Sequence, residues 1–209
     1  MGHRRIFPSV AGIFLFGHCL AMASEITDIR PLALHDGVNE VPNFSPDGGK
    51  ITIVQAWRGN GNAHGYNTWM VLSSNAEGRL FGVVGIERTD TRNLDEIVRD
   101  DPFDSERAMG VVRFARARVD GIDRSIFIDA HLDPEPEHAF ADHNTVTIRI
   151  YQLLRASNDV GSTPDVFRPI LTMYGAKRYC NADLALHQML SVPLAPDYAG
   201  ANQVDGCFD

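Results

Sequence analysis

The stretch from Ile51 to Ser73 constrains the fold more than any other part of the sequence. It contains two runs of β-branched, aromatic and other apolar residues, 51–57 and 66–73, separated by a segment rich in glycine and asparagine. Two such runs around a Gly/Asn segment predict a β-hairpin with a long polar loop. We therefore expect strands to organise the fold.

Similar patterns follow along the chain. Residues 80–86 predict a buried strand, and residues 111–119 and 125–132 flank a short Asp/Gly turn that predicts a second hairpin. Residues 145–153 alternate polar and apolar side chains, as a half-buried strand does. Residues 167–174 predict a strand at a sheet edge, because Pro169 has no amide hydrogen to donate.

A short helix is predicted near the C-terminus, because Asn181 can cap it and Pro193 would end it. With about seven strands and this one helix, the sequence predicts an all-β fold, either an antiparallel sandwich or an open barrel. Residues 43–50 place Asn43, Ser45 and Asp47 on alternate positions, as a calcium loop does. A single carboxylate is too few for calcium, so we expect a Pro-Asp-Gly turn there.

The N-terminus has the pattern of a secretory signal peptide. Arg4 and Arg5 precede an apolar run from residue 6 to residue 20, which ends in Ala21-Met22-Ala23. A lipoprotein site at Cys19 is disfavoured, because the preceding residue is histidine. We expect cleavage after Ala23, export to the periplasm or beyond, and a single mainly-β domain over residues 24–209.

Charge and cysteine content agree with export. The formal net charge of −8 disfavours nucleic acid and anionic membranes as partners, and no second apolar stretch is long enough to span a bilayer. Without the signal peptide two cysteines remain, Cys180 and Cys207, which we expect to form a disulfide in an oxidising compartment. The alternative is two unrelated thiols.

The hairpin loop is the main candidate for a binding site. Its aromatic faces, amides and guanidinium suit a small polar or anionic ligand, because arginine binds a carboxylate through charge-assisted hydrogen bonds. The alternative is purely structural, with Gly65 expected to adopt a positive φ in a tight loop and the tryptophans in the core. The candidate ligand-binding residues are Trp57, Arg58, Asn60, Asn62, His64 and Tyr66.

Other chemistries have weaker support. The loop glycines are followed by a predicted strand, whereas a dinucleotide-binding fingerprint requires a helix. No nucleophile motif is present, and no cofactor is predicted. A run from His138 to His143 resembles a metallo-hydrolase motif but has Phe140 in place of its middle histidine. A secreted metal-dependent hydrolase is thus the alternative function, with Asp133 as an additional donor and with ligands His131, His138, Asp142 and His143.

Three segments together resemble a known family. They are R-x-N-x-N-A-H-G at residues 58–65, V-R-F-A-R at 112–116 and K-R-Y-C-N-A-D-L-A at 177–185. This pattern resembles the CarG-like carbapenem self-resistance proteins over residues 30–190. The resemblance implies an exported protein that protects against carbapenems by binding or sequestration, without hydrolysing them.

These observations give a leading hypothesis and two alternatives. The leading hypothesis is an exported, non-catalytic binding protein whose loop contacts a small ligand. The alternatives are the metal-dependent hydrolase and a structural or partner-binding β-domain with no small ligand. The ligand and the oligomeric state do not follow from the sequence.

Overall fold

The computed structural model describes residues 24–59, 61, 65–74, 81–88, 94–101, 108–133, 143–156 and 163–194. The expected signal peptide, residues 1–23, lies outside these ranges. The elements in chain order are β1 (Ile26–Pro31), β2 (Gly37–Val41), β3 (Ile51–Arg58), β4 (Tyr66–Ser74), β5 (Phe81–Val83), β6 (Gly85–Glu87), β7 (Leu94–Asp95), β8 (Ile97–Arg99), β9 (Gly110–Val119), β10 (Ile122–Leu132), β11 (Val146–Arg155), β12 (Asp165–Tyr174) and α1 (Ala182–Leu190).

The strands form two sheets. The large sheet has seven strands in the order β1-β9-β10-β11-β12-β6-β7, and the small sheet joins β2-β3-β4-β5, with β8 also paired to β4. Neighbouring strands are antiparallel except β12 and β6, which are parallel. The predicted all-β sandwich is therefore confirmed.

The sandwich core lies between the two sheets. Ile53, Trp69 and Val71 of the small sheet pack in the same buried cluster as Phe114 and Phe167 of the large sheet. The rings of Trp69 and Phe114 lie 6.3 Å apart between centroids. Because apolar surface is removed from water on both sides of this interface, the core fixes how the two sheets face each other.

The outer face of the large sheet is also apolar. Ile128 and Ile148 belong to a second buried cluster, together with Ala185 and Leu186 of α1. The helix begins as predicted, because the side chain of Asn181 accepts a 2.9 Å hydrogen bond from the Asp183 amide. The central strands of the large sheet are therefore covered on both faces.

Both predicted hairpins are present. The first joins β3 to β4, with Ile53 opposite Val71 and Arg58 opposite Tyr66. The second joins β9 to β10 through Asp120 and Gly121, which both have positive φ, of 51° and 78°. Two consecutive positive φ angles match the right-handed twist of the flanking strands.

Two strand predictions need correction. Residues 80–86 were expected to form one strand, but the chain changes sheets at Val84, so that β5 pairs with β4 and β6 pairs with β12. The strand containing Pro169 is not at the edge of the large sheet. The short parallel contact with β6 covers only Val166 and Phe167, and Pro169 lies beyond it at an irregularity in the pairing with β11.

The turn predicted at residues 43–50 is confirmed. One carboxylate oxygen of Asp47 accepts hydrogen bonds from the Ser45 hydroxyl and the Gly49 amide. The other accepts a 2.6 Å bond from the Arg155 guanidinium. Donors from the chain itself thus satisfy the only carboxylate of the calcium-like pattern.

Two predictions about the chain as a whole stay predictions. Cys180 is buried just before α1, whereas Cys207 lies outside the described residues. The single domain expected over residues 24–209 also stays a prediction. Within those ranges, no helical segment has the length and apolarity that crossing a bilayer requires.

Candidate functional site

The predicted binding residues separate onto two faces of the small sheet. Arg58 lies opposite Tyr66 in the β3–β4 ladder, and Trp57 lies opposite Asn67. Because successive side chains of a strand point to opposite faces, Arg58 and Tyr66 share one face, and Trp57 shares the inward face with Trp69. Three further predicted residues, Asn60, Asn62 and His64, lie outside the described residues.

The Arg58 guanidinium is engaged with Tyr66. One of its nitrogens donates a hydrogen bond to the Tyr66 hydroxyl. Its central carbon lies 5.4 Å from the centroid of the same ring, within the range of a cation–π contact. Arg58 is therefore held in place by its cross-strand neighbour.

Trp57 is the exposed aromatic residue at this end of the hairpin. Its side chain is 50% exposed although it lies on the inward face of β3. A Cβ atom at Gly65 would lie 2.1 Å from Cζ2 of the Trp57 ring, so only glycine permits this contact. The expectation that Gly65 has a positive φ is wrong, since it is absent from the positive-φ residues of the described chain. The reason for glycine there is the ring that lies against it.

Asn67 and Asp100 connect the start of β4 to the end of β8. Asp100 accepts hydrogen bonds of 2.7 Å from the Asn67 amide and 3.0 Å from its side-chain nitrogen. Asp100 is only 7% exposed. Burial raises the pKa of this carboxyl to about 6, although the two hydrogen bonds from Asn67 oppose the shift.

A second group of polar residues lies at the same end of the sandwich, on the inward face of the large sheet. Asp101 packs against Gly110 at the start of β9, where a Cβ would lie 2.6 Å from the Asp101 nitrogen. Gly110 is in turn opposite His131 near the end of β10. Five polar residues near these strand ends form what we call the strand-end cluster. Two lie on β10, one directly after β10 and two on β11: Asp129 and His131, Asp133, and Thr147 and Arg149.

Asp133 and His131 are linked within this cluster. The Thr147 hydroxyl lies 3.0 Å and 2.9 Å from the two carboxylate oxygens of Asp133. His131 Nε2 lies 3.2 Å from Asp133 Oδ1. Arg149 Nη1 also lies against the imidazole, 3.3 Å from Nδ1 and 3.5 Å from Nε2 of His131. Asp133 is therefore satisfied by its neighbours.

Asp129 lies deeper in the sandwich. Burial raises the pKa of its carboxyl, and the nearby His131 and Arg149 partly offset the shift. The next pair along the strands is aromatic, with the rings of Phe127 and Tyr151 stacked 4.4 Å apart at 8°. Burial, followed by the charge of Asp129, also raises the pKa of the Tyr151 hydroxyl. The cluster thus adjoins the aromatic core.

The predicted metal ligands are only partly described. His131 is in contact with Asp133 and Arg149. His143 lies just before β11 and is exposed. The other two ligands, His138 and Asp142, lie outside the described residues. Across the ranges that the structure describes, no three His, Cys, Asp or Glu side chains are grouped as a metal ion would require.

One pattern in the sequence indicates the strand-end cluster. Asp129, His131 and Asp133 alternate along one strand, and Thr147 and Arg149 alternate along the next. Alternating polar residues normally face solvent. In β10 and β11 these polar residues face the interior of the sandwich, because the apolar residues on the other face of both strands are covered by α1. The sequence pattern alone does not show this.

The fold and these sites define a class of structure: a two-sheet antiparallel β-sandwich with a helix packed on its outer face. No family model and no curated protein matches the chain. Among solved structures, the chain is similar to the crystal structure of CarG, with a TM-score of 0.60 and 18% identity. The match covers 77% of this chain and 94% of that chain. A match at this identity shows a shared fold.

Proposed function

We propose that this protein is an exported, non-catalytic binding protein that protects against carbapenems by holding them at the Trp57 end of the sandwich. The observation that carries the proposal is the Trp57 side chain, which is half exposed and seated against Gly65. An aromatic face that is already fixed loses little conformational freedom when a ligand packs on it. The shared fold with CarG supports the proposal at the level of architecture.

The polar groups near Trp57 suit a ligand that carries hydrogen-bonding groups. Asn67 is its cross-strand neighbour and holds Asp100 at the same strand end. Arg58 is the next residue along β3, but it points to the opposite face and donates to Tyr66, so it does not face a ligand that packs on Trp57. Such a set of groups can orient a small molecule through hydrogen bonds.

The test is a fluorescence and melting experiment with meropenem. The chain contains two tryptophans, so Trp69→Phe leaves Trp57 as the only indole. Meropenem should change the emission of this variant and raise the melting temperature of the wild-type protein. Trp57→Ala should weaken binding by about tenfold or more, as for an aromatic residue at the centre of a contact.

Tyr174→Ala is the matched control, because Tyr174 is another exposed aromatic residue, 75% exposed on β12. This variant should bind meropenem as the wild type does. An equal meropenem response in Trp57→Ala would remove Trp57 from the site. Loss of the β-lactam absorbance, with or without added zinc, would mean that the protein hydrolyses meropenem. That result would contradict the binding proposal and favour the hydrolase alternative.

A further inference from the structure

Asp129 and Arg149 are directly opposite each other in the β10–β11 ladder. Both side chains are half-buried on the inward face of the large sheet. Opposite charges in directly facing positions normally attract and pair. Yet among the described residues no carboxylate oxygen lies within the 4.0 Å ion-pair distance of the Arg149 guanidinium. Each charge therefore lies beside its natural partner without forming a salt bridge.

The neighbouring groups do not replace that partner. The hydrogen-bonding contacts of Arg149 within the described chain are with the His131 ring, at 3.3 Å and 3.5 Å, which is long for a hydrogen bond. Asp133 is occupied by Thr147 and His131. Within the same ranges Asp129 forms no hydrogen bond. Neither residue is among the fully buried unpaired groups of the described chain, so their charged atoms reach solvent, where a group from outside the chain can pair with them.

We propose that Asp129 and Arg149 together bind a small zwitterion, with its carboxylate on the Arg149 guanidinium and its ammonium group on Asp129. The guanidinium offers paired N–H donors that match a carboxylate. Asp101 and Asp133 lie on the same side of the sheet and add negative potential, which favours a cation near Asp129. The stacked rings of Phe127 and Tyr151 provide an apolar wall beside the pair.

This site is independent of the Trp57 site and does not rest on carbapenem binding. The ligands that fit are amino acids or short peptides with free termini. Recognition by this site requires both charged termini of the ligand.

The experiment uses three matched dipeptides: L-alanyl-L-alanine, its N-acetyl derivative and its C-terminal amide. Calorimetric titration of the full mature protein should detect L-alanyl-L-alanine most strongly. Removing either charged terminus should weaken binding by about tenfold or more, because a hydrogen-bonded charge is lost. Arg149→Gln should abolish the preference for the free carboxylate, and Asp129→Asn the preference for the free ammonium group.

Matched controls lie at the other end of β10. Asp123 is opposite Arg118 in the β9–β10 ladder, so Asp123→Asn and Arg118→Gln remove the same charges from another facing pair. They should leave dipeptide binding unchanged, as should Trp57→Ala. Equal affinity for the three dipeptides, or binding to none of them, would overturn the inference. So would a marked fall in melting temperature of both Arg149→Gln and Asp129→Asn without ligand, since the two charges would then serve the fold.

Discussion

At the scale of single residues, Asp100 shows how one buried carboxyl makes stability depend on pH. Burial raises its pKa from the ordinary value of 3.8 to about 6. The folded state then binds the proton more tightly than the unfolded state does. Its contribution to stability is complete below about pH 4 and is lost as the pH rises through about 6. The loss amounts to as much as about 3 kcal/mol, at 1.36 kcal/mol per pKa unit.

The prediction is that Asp100→Asn stabilises the protein at neutral pH. Asparagine keeps an oxygen that can accept from the Asn67 amide, and it has no charge to bury. Urea unfolding at several pH values should give similar free energies for variant and wild type near pH 4, and a gap that widens to about 3 kcal/mol by pH 7. Asp123→Asn, which changes an exposed aspartate, should show no such gap. Parallel curves for Asp100→Asn and wild type would contradict the prediction.

Neither the burial of Asp100 nor the role of Gly65 follows from the sequence. Asp100 begins an acidic segment that reads as an exposed loop, and its partner Asn67 is 33 residues away. Gly65 looks like a residue that needs positive φ, but its constraint is the Trp57 ring. In both cases the decisive contact is between side chains of different elements, which local patterns do not encode.

At the scale of elements, the predictions that succeeded depend on local interactions. The β3–β4 and β9–β10 hairpins bring neighbouring segments together, and apolar runs around turn residues indicate them directly. The change of sheet at Val84 is different. The apolar run around it is continuous, and only the separate partners of β5 and β6 divide it.

The helix α1 gives the prediction at this scale. Asn181 is fully buried, and its side-chain oxygen caps the helix through the Asp183 amide, while its side-chain nitrogen has no hydrogen-bond partner within the described residues. Replacing it with alanine removes the cap and should lower the free energy of unfolding by about 1 kcal/mol. Serine is of similar size to alanine and retains a capping oxygen.

Thermal and urea unfolding of Asn181→Ala and Asn181→Ser therefore isolate the cap from the loss of side-chain volume. We expect the serine variant to be the more stable of the two by most of that difference. Equal stability of the two variants would mean that the cap contributes little. In that case packing beneath α1, and not the cap, would account for the stability of the helix start.

At the scale of the whole molecule, the large sheet has two buried faces with different content. One face is mainly apolar beneath α1, with the Arg113–Asp183 ion pair as an exception, while the other carries the aromatic core and then the strand-end cluster. The sequence predicted a sandwich and an exposed end of the hairpin. It did not predict Asp129 and Arg149 as a facing pair, because their register depends on how β10 and β11 align. Strand register is a property of the assembled sheet.

The last prediction concerns the C-terminal tail. Cys180 is 1% exposed at the start of the segment that leads into α1, so a bond to Cys207 would hold the tail against the domain. In the chain-entropy model such a bond stabilises the fold by roughly 3 kcal/mol. Mass spectrometry of peptides from non-reduced protein should find Cys180 joined to Cys207. A reducing agent should lower the melting temperature of the wild type and leave Cys207→Ser, which already lacks the bond, unchanged. Unlinked peptides from both positions, in protein isolated from an oxidising compartment, would contradict the predicted disulfide.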